Sequence, residues 1–252
     1  MADTRNRNSM VDIHSFSDQP SACRAAKEAV ELTLKDAAGK PVLLLISGGS
    51  GFDVLNQLSD ELFSARITVS VIDERFSTDP TINNYLQLQK TDFYRKAMAK
   101  GVPVIDTIPK DSESIEEMAK RFEGELKDWR MSHPDGIMVA LLGIGRDGHT
   151  AGMIGNPEDK GSFQFMFEDD SVWVAGHDAE NRNPYPLRVT TTMPFLRKLD
   201  TCIVYAVGEA KKYALTAILS QNGDLYRTPG RIIQELKHCL LYTDQAVATV
   251  KI

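Results

Sequence analysis

The part of the chain with the most chemical content is a glycine-rich segment that contains an aspartate and a histidine. It reads Gly143-Ile144-Gly145-Arg146-Asp147-Gly148-His149-Thr150-Ala151-Gly152. A histidine takes or gives a proton near neutral pH, so this segment could carry out general acid–base chemistry. Asp147 and His149 are therefore the candidate catalytic residues.

The residues just before this segment indicate where the two side chains lie. Residues 137–142 form an unbroken apolar run, which is typical of a buried central strand in a parallel sheet. In open α/β sheets the ligand crevice lies outside the carboxyl ends of the strands. We therefore predict that Asp147 and His149 face such a crevice.

The same segment also matches the G-x-G-x-x-G pattern of dinucleotide-binding proteins. That motif needs a strand before it, a full helix directly after it, and an acidic residue about twenty positions further on. Residues 168–170 supply the acid. However, Gly152, Gly155 and Pro157 leave room for roughly two helical turns at most. The sequence therefore disfavours a nicotinamide or flavin cofactor.

Three other clusters follow predicted strands or begin them. The loop at 47–51, Ser-Gly-Gly-Ser-Gly, lies between a strand and a helix, where backbone N–H groups could face an anion. The alternative is a tight turn with Ser50 as helix cap. Asp73-Glu74-Arg75 ends another strand, and taken alone it favours a solvated corner. Arg188 begins a strand, and a lone arginine there is usually a surface residue.

A fourth cluster, Gly208-Glu209-Ala210-Lys211, opens a predicted helix. A lysine in the first turn of a helix is unfavourable for the helix dipole, which indicates an anionic partner. The sequence leaves open whether Lys211 or Lys212 makes that contact.

The remaining histidines and the cysteines carry no recognisable site. The four other histidines are predicted to be surface or partly buried residues: His14, His133, His177 and His238. No spacing fits zinc, and no G-x-S-x-G motif supplies a serine nucleophile, so we expect neither metal nor cofactor. The three cysteines are scattered, which fits a reducing cytoplasm: Cys23, Cys202 and Cys239.

The composition is that of an ordinary globular protein. The 252 residues are 42% hydrophobic and 25% charged, with a net charge of −6. This negative charge disfavours nucleic-acid binding, although basic residues that converge locally could still bind a small anion. No run approaches the ~18 apolar residues of a membrane span, and residues 1–8 lack the apolar core of a secretory signal. We expect a flexible tail over residues 1–10.

Helix and strand signals alternate along the chain. Helices are predicted at 17–38, 52–63, 111–129, 208–219 and 229–236, with one or two more within 76–100. Strands are predicted at 42–46, 67–72, 137–142, 171–175, 188–192 and 202–207, with short ones at 104–105 and 239–242. This alternation predicts a single α/β domain over 11–252, with a doubly wound, mostly parallel sheet in a Rossmann-like three-layer sandwich.

In series, these clusters resemble the 6-phosphogluconolactonases, within the wider group that includes the glucosamine-6-phosphate deaminases. The resemblance runs through Ser47-Gly48-Gly49-Ser50, Asp73-Glu74-Arg75 with Asn83-Asn84-Tyr85, Leu142 to Ala151, Pro186-Leu187-Arg188-Val189-Thr190, and Gly208 to Lys211. The Asp-Gly-His-Thr-Ala stretch is highly specific, whereas the other motifs are weak singly.

The resemblance implies a doubly wound α/β fold and hydrolysis of 6-phosphogluconolactone to 6-phosphogluconate in the pentose phosphate pathway. It implies His149 as general base and Arg188 and Lys211 as phosphate contacts. It also implies that the remaining matched positions line the substrate pocket: Ser47, Gly48, Gly49, Asp73 and Arg75. Asp147 would orient either the loop or the imidazole.

The chain departs from the family pattern at two loops. Gly51-Phe52 replaces the usual Thr-Pro, and Met153-Ile154-Gly155 replaces a common Leu-Phe-Pro, so the exact sugar-phosphate preference is left open. The deaminases carry a glutamate seven positions after the aspartate, where this chain has Ile154. The other alternative is a sugar-phosphate sensor without catalysis. Such sensors normally carry a DNA-binding helix-turn-helix, but only about forty residues precede the first predicted strand. Sequence does not settle the oligomeric state.

Overall fold

Parallel strands built from apolar runs form the centre of the protein. The computed structural model describes residues 11–246; the predicted tail at 1–10 and residues 247–252 lie outside this range. The strands within the described range are β1 Asp12–Ser15, β2 Val42–Ile46, β3 Ile67–Val71, β4 Asp73–Arg75, β5 Ile137–Leu142, β6 Val174–Asp178, β7 Leu187–Thr191, β8 Thr201–Tyr205 and β9 Cys239–Thr243.

Six of these strands form the main sheet, in the order β1-β9-β8-β5-β2-β3, and every pairing in it is parallel. From β2 the chain first moves outward to β3 and then returns to β5 on the other side of β2. The strand order therefore reverses between β2 and β5. In doubly wound sheets the ligand crevice opens at such a switch point, outside the carboxyl ends of the strands.

Helices cover both faces of the main sheet. They are α1 Gln19–Asp36, α2 Gly51–Leu55, α3 Asn84–Leu88, α4 Asp92–Ala99, α5 Ile115–Ser132, α6 Lys160–Phe167, α7 Met193–Leu196 and α8 Lys212–Leu219, with 3₁₀ turns at Asp60–Leu62, Glu180–Arg182, Glu209–Lys211 and Pro229–Glu235. Among the helices of residues 11–246, none has the length and apolar character needed to cross a membrane.

The side-chain alternation of β2 divides the interior into two cores. Leu43 and Leu45 face one core, in which α5 and α8 contribute apolar side chains. Val42, Leu44 and Ile46 face the other core, which α1, α2 and α4 complete. This three-layer arrangement confirms the predicted doubly wound α/β fold.

A second, three-stranded antiparallel sheet lies beside the main sheet, in the order β4-β7-β6. The sequence analysis predicted residues 73–75 only as the end of a strand, not as a strand of their own. In the structure Arg75 pairs directly with Arg188, and Asp73 pairs with Thr190. This small sheet therefore brings two distant motifs together at the crevice.

Two helix predictions were wrong in extent. The predicted helix at 52–63 stops at Leu55, because Asn56 Oδ1 accepts a hydrogen bond from Phe93 N and Ser59 N donates to Glu31. The predicted helix at 229–236 is a 3₁₀ helix. There the N–H of Gly230 donates to the carbonyl of Gly148 instead of joining an α-helical ladder.

Three other elements also differ from the sequence prediction. The strand predicted at 171–175 begins only at Val174, since Ser171 is held in a turn by the side chain of Asp169. Strand β1 was missed because its four residues contain no apolar run. Helix α6 was missed because glycines and a proline precede it, although Asp159 caps its first turn.

Candidate active site

A cavity of about 500 Å³ lies beyond the carboxyl ends of β2 and β5. All of the site residues predicted from the sequence line it: Ser47, Gly48, Gly49, Asp73, Arg75, Asp147, His149, Arg188 and Lys211. The structure therefore brings into one crevice five segments that are far apart in the chain. Four polar lining residues were not in the predicted set: Ser50, Asn84, Arg146 and Asn183.

The loop after β5 holds His149 against Asp147. The His149 Nδ1 lies 2.6 Å from Asp147 Oδ1, and the backbone N–H of His149 donates to the same oxygen over 3.2 Å. Burial raises the pKa of Asp147, but the hydrogen bond and positive charge of His149 outweigh this and leave it at about 2. Asp147 is therefore an ionised acceptor near neutral pH. Because an ionised carboxylate only accepts, Nδ1 of His149 carries a proton, and in the neutral form of the ring the lone pair is then on Nε2.

Gly145 makes room for this pair. A Cβ at position 145 would overlap the imidazole of His149 and lie 2.5 Å from Asp147 Oδ1. The absence of a side chain at this position thus lets the histidine and the carboxylate meet.

We expect Gly145→Ala to lower kcat by about 10-fold or more, since small misplacements of catalytic groups are costly. Gly143→Ala is the matched control, because its Cβ would meet only Ser47 Cβ at an ordinary 3.8 Å. The measurement is turnover of each variant alongside its far-ultraviolet circular dichroism. Equal activity in the two variants would contradict the steric role of position 145.

Arg188 and Asp73 form a buried ion pair at the back of the cavity. Arg188 Nη1 lies 3.3 Å from Asp73 Oδ2, and both side chains are less than one-tenth exposed. The guanidinium also donates to Asn183 Oδ1 and to the carbonyl of Tyr185. The expectations of a solvated corner at 73–75 and of a surface arginine at 188 are therefore wrong, because the second sheet covers both segments.

Glu74 does not line the cavity, and its carboxylate instead anchors the start of helix α3. Its carboxylate accepts hydrogen bonds from four donors: Arg75 N, Asn84 N, Tyr85 N and Thr107 Oγ1. Burial raises the pKa of Glu74 to about 7, against the effect of these donors. Glu74 thus holds helix α3 and Asn84 in place.

Three buried polar atoms that face no protein partner belong to lining residues. They are Ser47 Oγ, Arg75 Nε and Asn84 Oδ1. Buried polar groups are normally paired, so unpaired ones clustered around one cavity indicate a polar ligand. The sequence could have predicted Asn84 as a lining residue, because it lies in the Asn83-Asn84-Tyr85 motif.

The side chains that line the cavity include more cations than carboxylates, whereas the chain as a whole has a negative net charge. The lining cations are Arg75, Arg146, Arg188 and Lys211, against the carboxylates of Asp73 and Asp147. The chain as a whole carries −6. Such a local positive field concentrates anionic ligands in the crevice.

Lys211 is the lysine that reaches the cavity, whereas Lys212 is exposed to solvent and is not part of the lining. The ammonium of Lys211 donates to the carbonyl of Ile144, in the loop of His149. Burial lowers the pKa of Lys211, and the positive charge of Arg146 lowers it further. Of the two lysines, Lys211 is therefore the one that lines the cavity, and its contact with an anion stays a prediction.

His177 forms a hydrogen bond with the loop that carries His149, at its last residue, Gly152. It is buried, which corrects the prediction of a surface or partly buried residue, and its Nε2 donates to the carbonyl of Gly152 over 3.2 Å. Its ring packs edge-on against Phe167. Burial lowers the pKa of His177 to about 4, so it stays neutral in the folded protein at ordinary pH.

This lowered pKa predicts a loss of stability in acid. The unfolded chain binds a proton at His177 from about pH 6.5 downward, whereas the folded protein does so only near pH 4. The free energy of unfolding should therefore fall between these two values. His177→Gln keeps a donor for Gly152 but does not titrate, so its stability should fall less steeply, as measured by urea unfolding across this range. The exposed His238→Gln should follow the unaltered protein, and parallel curves for His177→Gln would contradict the prediction.

Within the described part of the chain, no group of three or more His, Cys, Asp or Glu side chains is arranged to hold a metal ion. The site instead combines a histidine–carboxylate pair with a cationic pocket. It defines a doubly wound α/β protein whose crevice is suited to acid–base chemistry on a small anionic ligand.

Comparisons with known proteins identify the family. Residues 17–241 match the family described as glucosamine-6-phosphate isomerases/6-phosphogluconolactonase. The chain therefore belongs to this family, which confirms the resemblance predicted from the motifs.

Individual relatives agree with this assignment. The chain is 29% identical over 149 residues to a 6-phosphogluconolactonase of Nostoc sp., covering 58% of this chain and 55% of that protein. It is 25% identical over 144 residues to a 6-phosphogluconolactonase of Synechocystis sp., covering 56% and 55%. The chain thus spans about half the length of these curated relatives. Its fold is similar to the crystal structure of a 6-phosphogluconolactonase from Shewanella baltica, with a TM-score of 0.76, 16% identity, and coverage of 93% and 98%.

Proposed function

We propose that this protein hydrolyses 6-phospho-D-glucono-1,5-lactone to 6-phosphogluconate. The observation that carries the proposal is the His149–Asp147 pair, 2.6 Å apart, in the wall of a cavity with an excess of cationic side chains. A lactone is an activated ester, so its hydrolysis needs a base and some stabilisation of the oxyanion. The family and the names of the relatives support the same substrate class.

The proposed reaction begins at Nε2 of His149. Asp147 fixes the Nδ1 proton, so Nε2 is free to take a proton from a water molecule as that water attacks C1 of the lactone. The C1–ring-oxygen bond then breaks, and His149 returns the proton to the departing ring oxygen. The product is a carboxylic acid, which ionises at neutral pH.

The remaining lining residues position the substrate. Arg188 and Lys211 hold the phosphate, and this fixes the lactone carbonyl near the imidazole. Arg75 and Asp73 complete that wall of the cavity. We assign stabilisation of the oxyanion to the turn at Ser47, Gly48 and Gly49, through the unpartnered hydroxyl of Ser47 and the backbone N–H groups of the two glycines.

A buried isoleucine favours hydrolysis over the isomerase activity named in the same family. The family's deaminases resemble this chain at the Asp-Gly-His motif but carry a glutamate at the position of Ile154. Ile154 is 3% exposed and has no ionisable group, so it cannot relay the proton of ring opening.

All three cysteines are buried and unpaired, which supports a reducing cytoplasm as the compartment.

The test is a coupled assay on freshly prepared 6-phosphogluconolactone, corrected for spontaneous hydrolysis. We expect a rate proportional to enzyme concentration, and no release of ammonia from glucosamine 6-phosphate. Ammonia release would favour the isomerase activity. Binding of 6-phosphogluconate without any turnover of the lactone would favour a sensor without catalysis.

A further inference from the structure

Arg146 is the cavity-lining cation that the proposed mechanism does not use. It lies in the loop between β5 and His149, and its side chain is exposed to solvent. Among residues 11–246 its guanidinium has no hydrogen-bond or ion-pair partner. An exposed arginine is usually only a solvated surface group, so its surroundings decide whether it binds a ligand.

The neighbours of Arg146 leave its hydrogen-bond donors unused. The adjacent carboxylate, Asp147, is engaged by Nδ1 of His149 at 2.6 Å. The ammonium of Lys211 donates to the carbonyl of Ile144, only two residues before Arg146. Two cations therefore adjoin on one side of the cavity, and the nearby carboxylate of Asp147, which acts against the lowered pKa of Lys211, forms a hydrogen bond with His149 and with neither cation.

Arg188, the cation on another wall of the cavity, differs from Arg146 in that it already has partners within the protein. Arg188 is paired with Asp73 and also donates to Asn183 and Tyr185. Much of its charge and hydrogen-bonding capacity is thus already taken up by the protein. Among residues 11–246 neither Arg146 nor Lys211 forms an ion pair, although the charge of Asp147 partly offsets the effect of Arg146 on the pKa of Lys211, which burial lowers most.

We propose that Arg146 is a specificity-determining residue that binds the phosphate group of the substrate together with Lys211. This inference rests on the proposed function. It adds Arg146, from the loop that carries His149, to the proposed phosphate contacts Arg188 and Lys211. A guanidinium donates two parallel hydrogen bonds to phosphate oxygens, which an ammonium cannot do. Because Arg146 is three residues from His149, phosphate binding would also fix the loop that carries the base. Binding energy from the remote phosphate would in this way support the chemistry at C1.

The test compares two lactones that differ only in the phosphate. KM and kcat are measured for 6-phosphogluconolactone and for unphosphorylated glucono-1,5-lactone, with the unaltered enzyme, Arg146→Ala and Arg146→Lys. For Arg146→Ala we expect KM for the phosphorylated lactone to rise about 10-fold, as is typical for loss of a charge-assisted hydrogen bond, with kcat changed much less. The same constants for the unphosphorylated lactone should stay within about 2-fold, and Arg146→Lys should recover part of the loss.

Lys212→Ala is the matched control, since it removes an exposed cation that does not line the cavity. It should leave both substrates unaffected. A second readout is calorimetric binding of 6-phosphogluconate and of gluconate, in which Arg146→Ala should weaken only the phosphorylated ligand. An unchanged KM, or an equal change for both lactones, would overturn the role of Arg146. Absence of turnover in the unaltered protein would instead overturn the proposed function, and the calorimetric comparison would still decide the inference about Arg146.

Discussion

Replacing His149 with alanine should lower kcat for 6-phosphogluconolactone by roughly 10²–10⁴-fold, the usual contribution of general acid–base catalysis. The variant removes the Nε2 that is proposed to take the proton from water, and within residues 11–246 no other histidine lines the cavity. The cationic residues that are proposed to hold the phosphate remain in place. Binding of 6-phosphogluconate, measured by calorimetry, should therefore change by only a few-fold. Rates are measured with purified protein and corrected for spontaneous opening of the lactone.

His238→Ala provides a control for this experiment, because it removes an exposed imidazole that does not line the cavity. Its kcat should equal that of the unaltered enzyme. Asp147→Asn is informative as a second variant. It keeps an acceptor oxygen near Nδ1 but removes the charge that fixes the proton there. Its activity should fall between those of His149→Ala and the unaltered protein. Full activity in His149→Ala would refute the assignment of the base.

The sequence was sufficient for those parts of the site that depend on local patterns. The apolar run at 137–142, followed by glycines, predicts a buried strand and a turn, and the structure places His149 beyond the carboxyl end of β5. The central strands at 42–46 and 67–72 were predicted nearly to the residue, because parallel strands covered on both faces read as continuous apolar runs.

Contacts between distant segments account for most of what the sequence did not supply. The antiparallel pairing of residues 73–75 with β7 depends on two motifs more than 100 positions apart. A strand was predicted at 188–192, but residues 73–75 show no strand pattern of their own, so the pairing was not predicted. Arg188 was accordingly predicted to be a surface residue when taken alone. Its burial depends on the pairing of its own strand, β7, with β4 and β6. His177 was missed for the same reason. It lies in a short strand without an apolar run, and only the packing of Phe167 and the histidine loop buries it.

The second large effect concerns stability rather than turnover. Arg188→Met should lower the free energy of unfolding by about 3–5 kcal/mol, because it leaves the carboxylate of Asp73 buried without its ion-pair partner. For a chain of this size the loss corresponds to a decrease in Tm of roughly 10 °C. Urea unfolding followed by circular dichroism measures it directly. The exposed pair Arg95–Asp92, about two-thirds exposed at each side chain, provides the contrast, and Arg95→Met should change stability by about 0.5 kcal/mol or less.

A double variant separates the cost of an unpaired charge from the cost of altered packing. Asp73→Asn combined with Arg188→Met removes both charges and leaves two neutral side chains of similar size, and replacing a buried ion pair as a unit is often nearly neutral. It should therefore recover more than half of the stability that Arg188→Met alone loses, although substrate binding stays impaired. Arg75 is the nearest alternative cation, but its guanidinium donates to the carbonyl of Ile82 and stacks on Tyr185. If Arg75 could turn to neutralise Asp73, the single variant would lose no more stability than Arg95→Met does. That outcome would mean that Asp73 and Arg188 are not a mutually dependent pair.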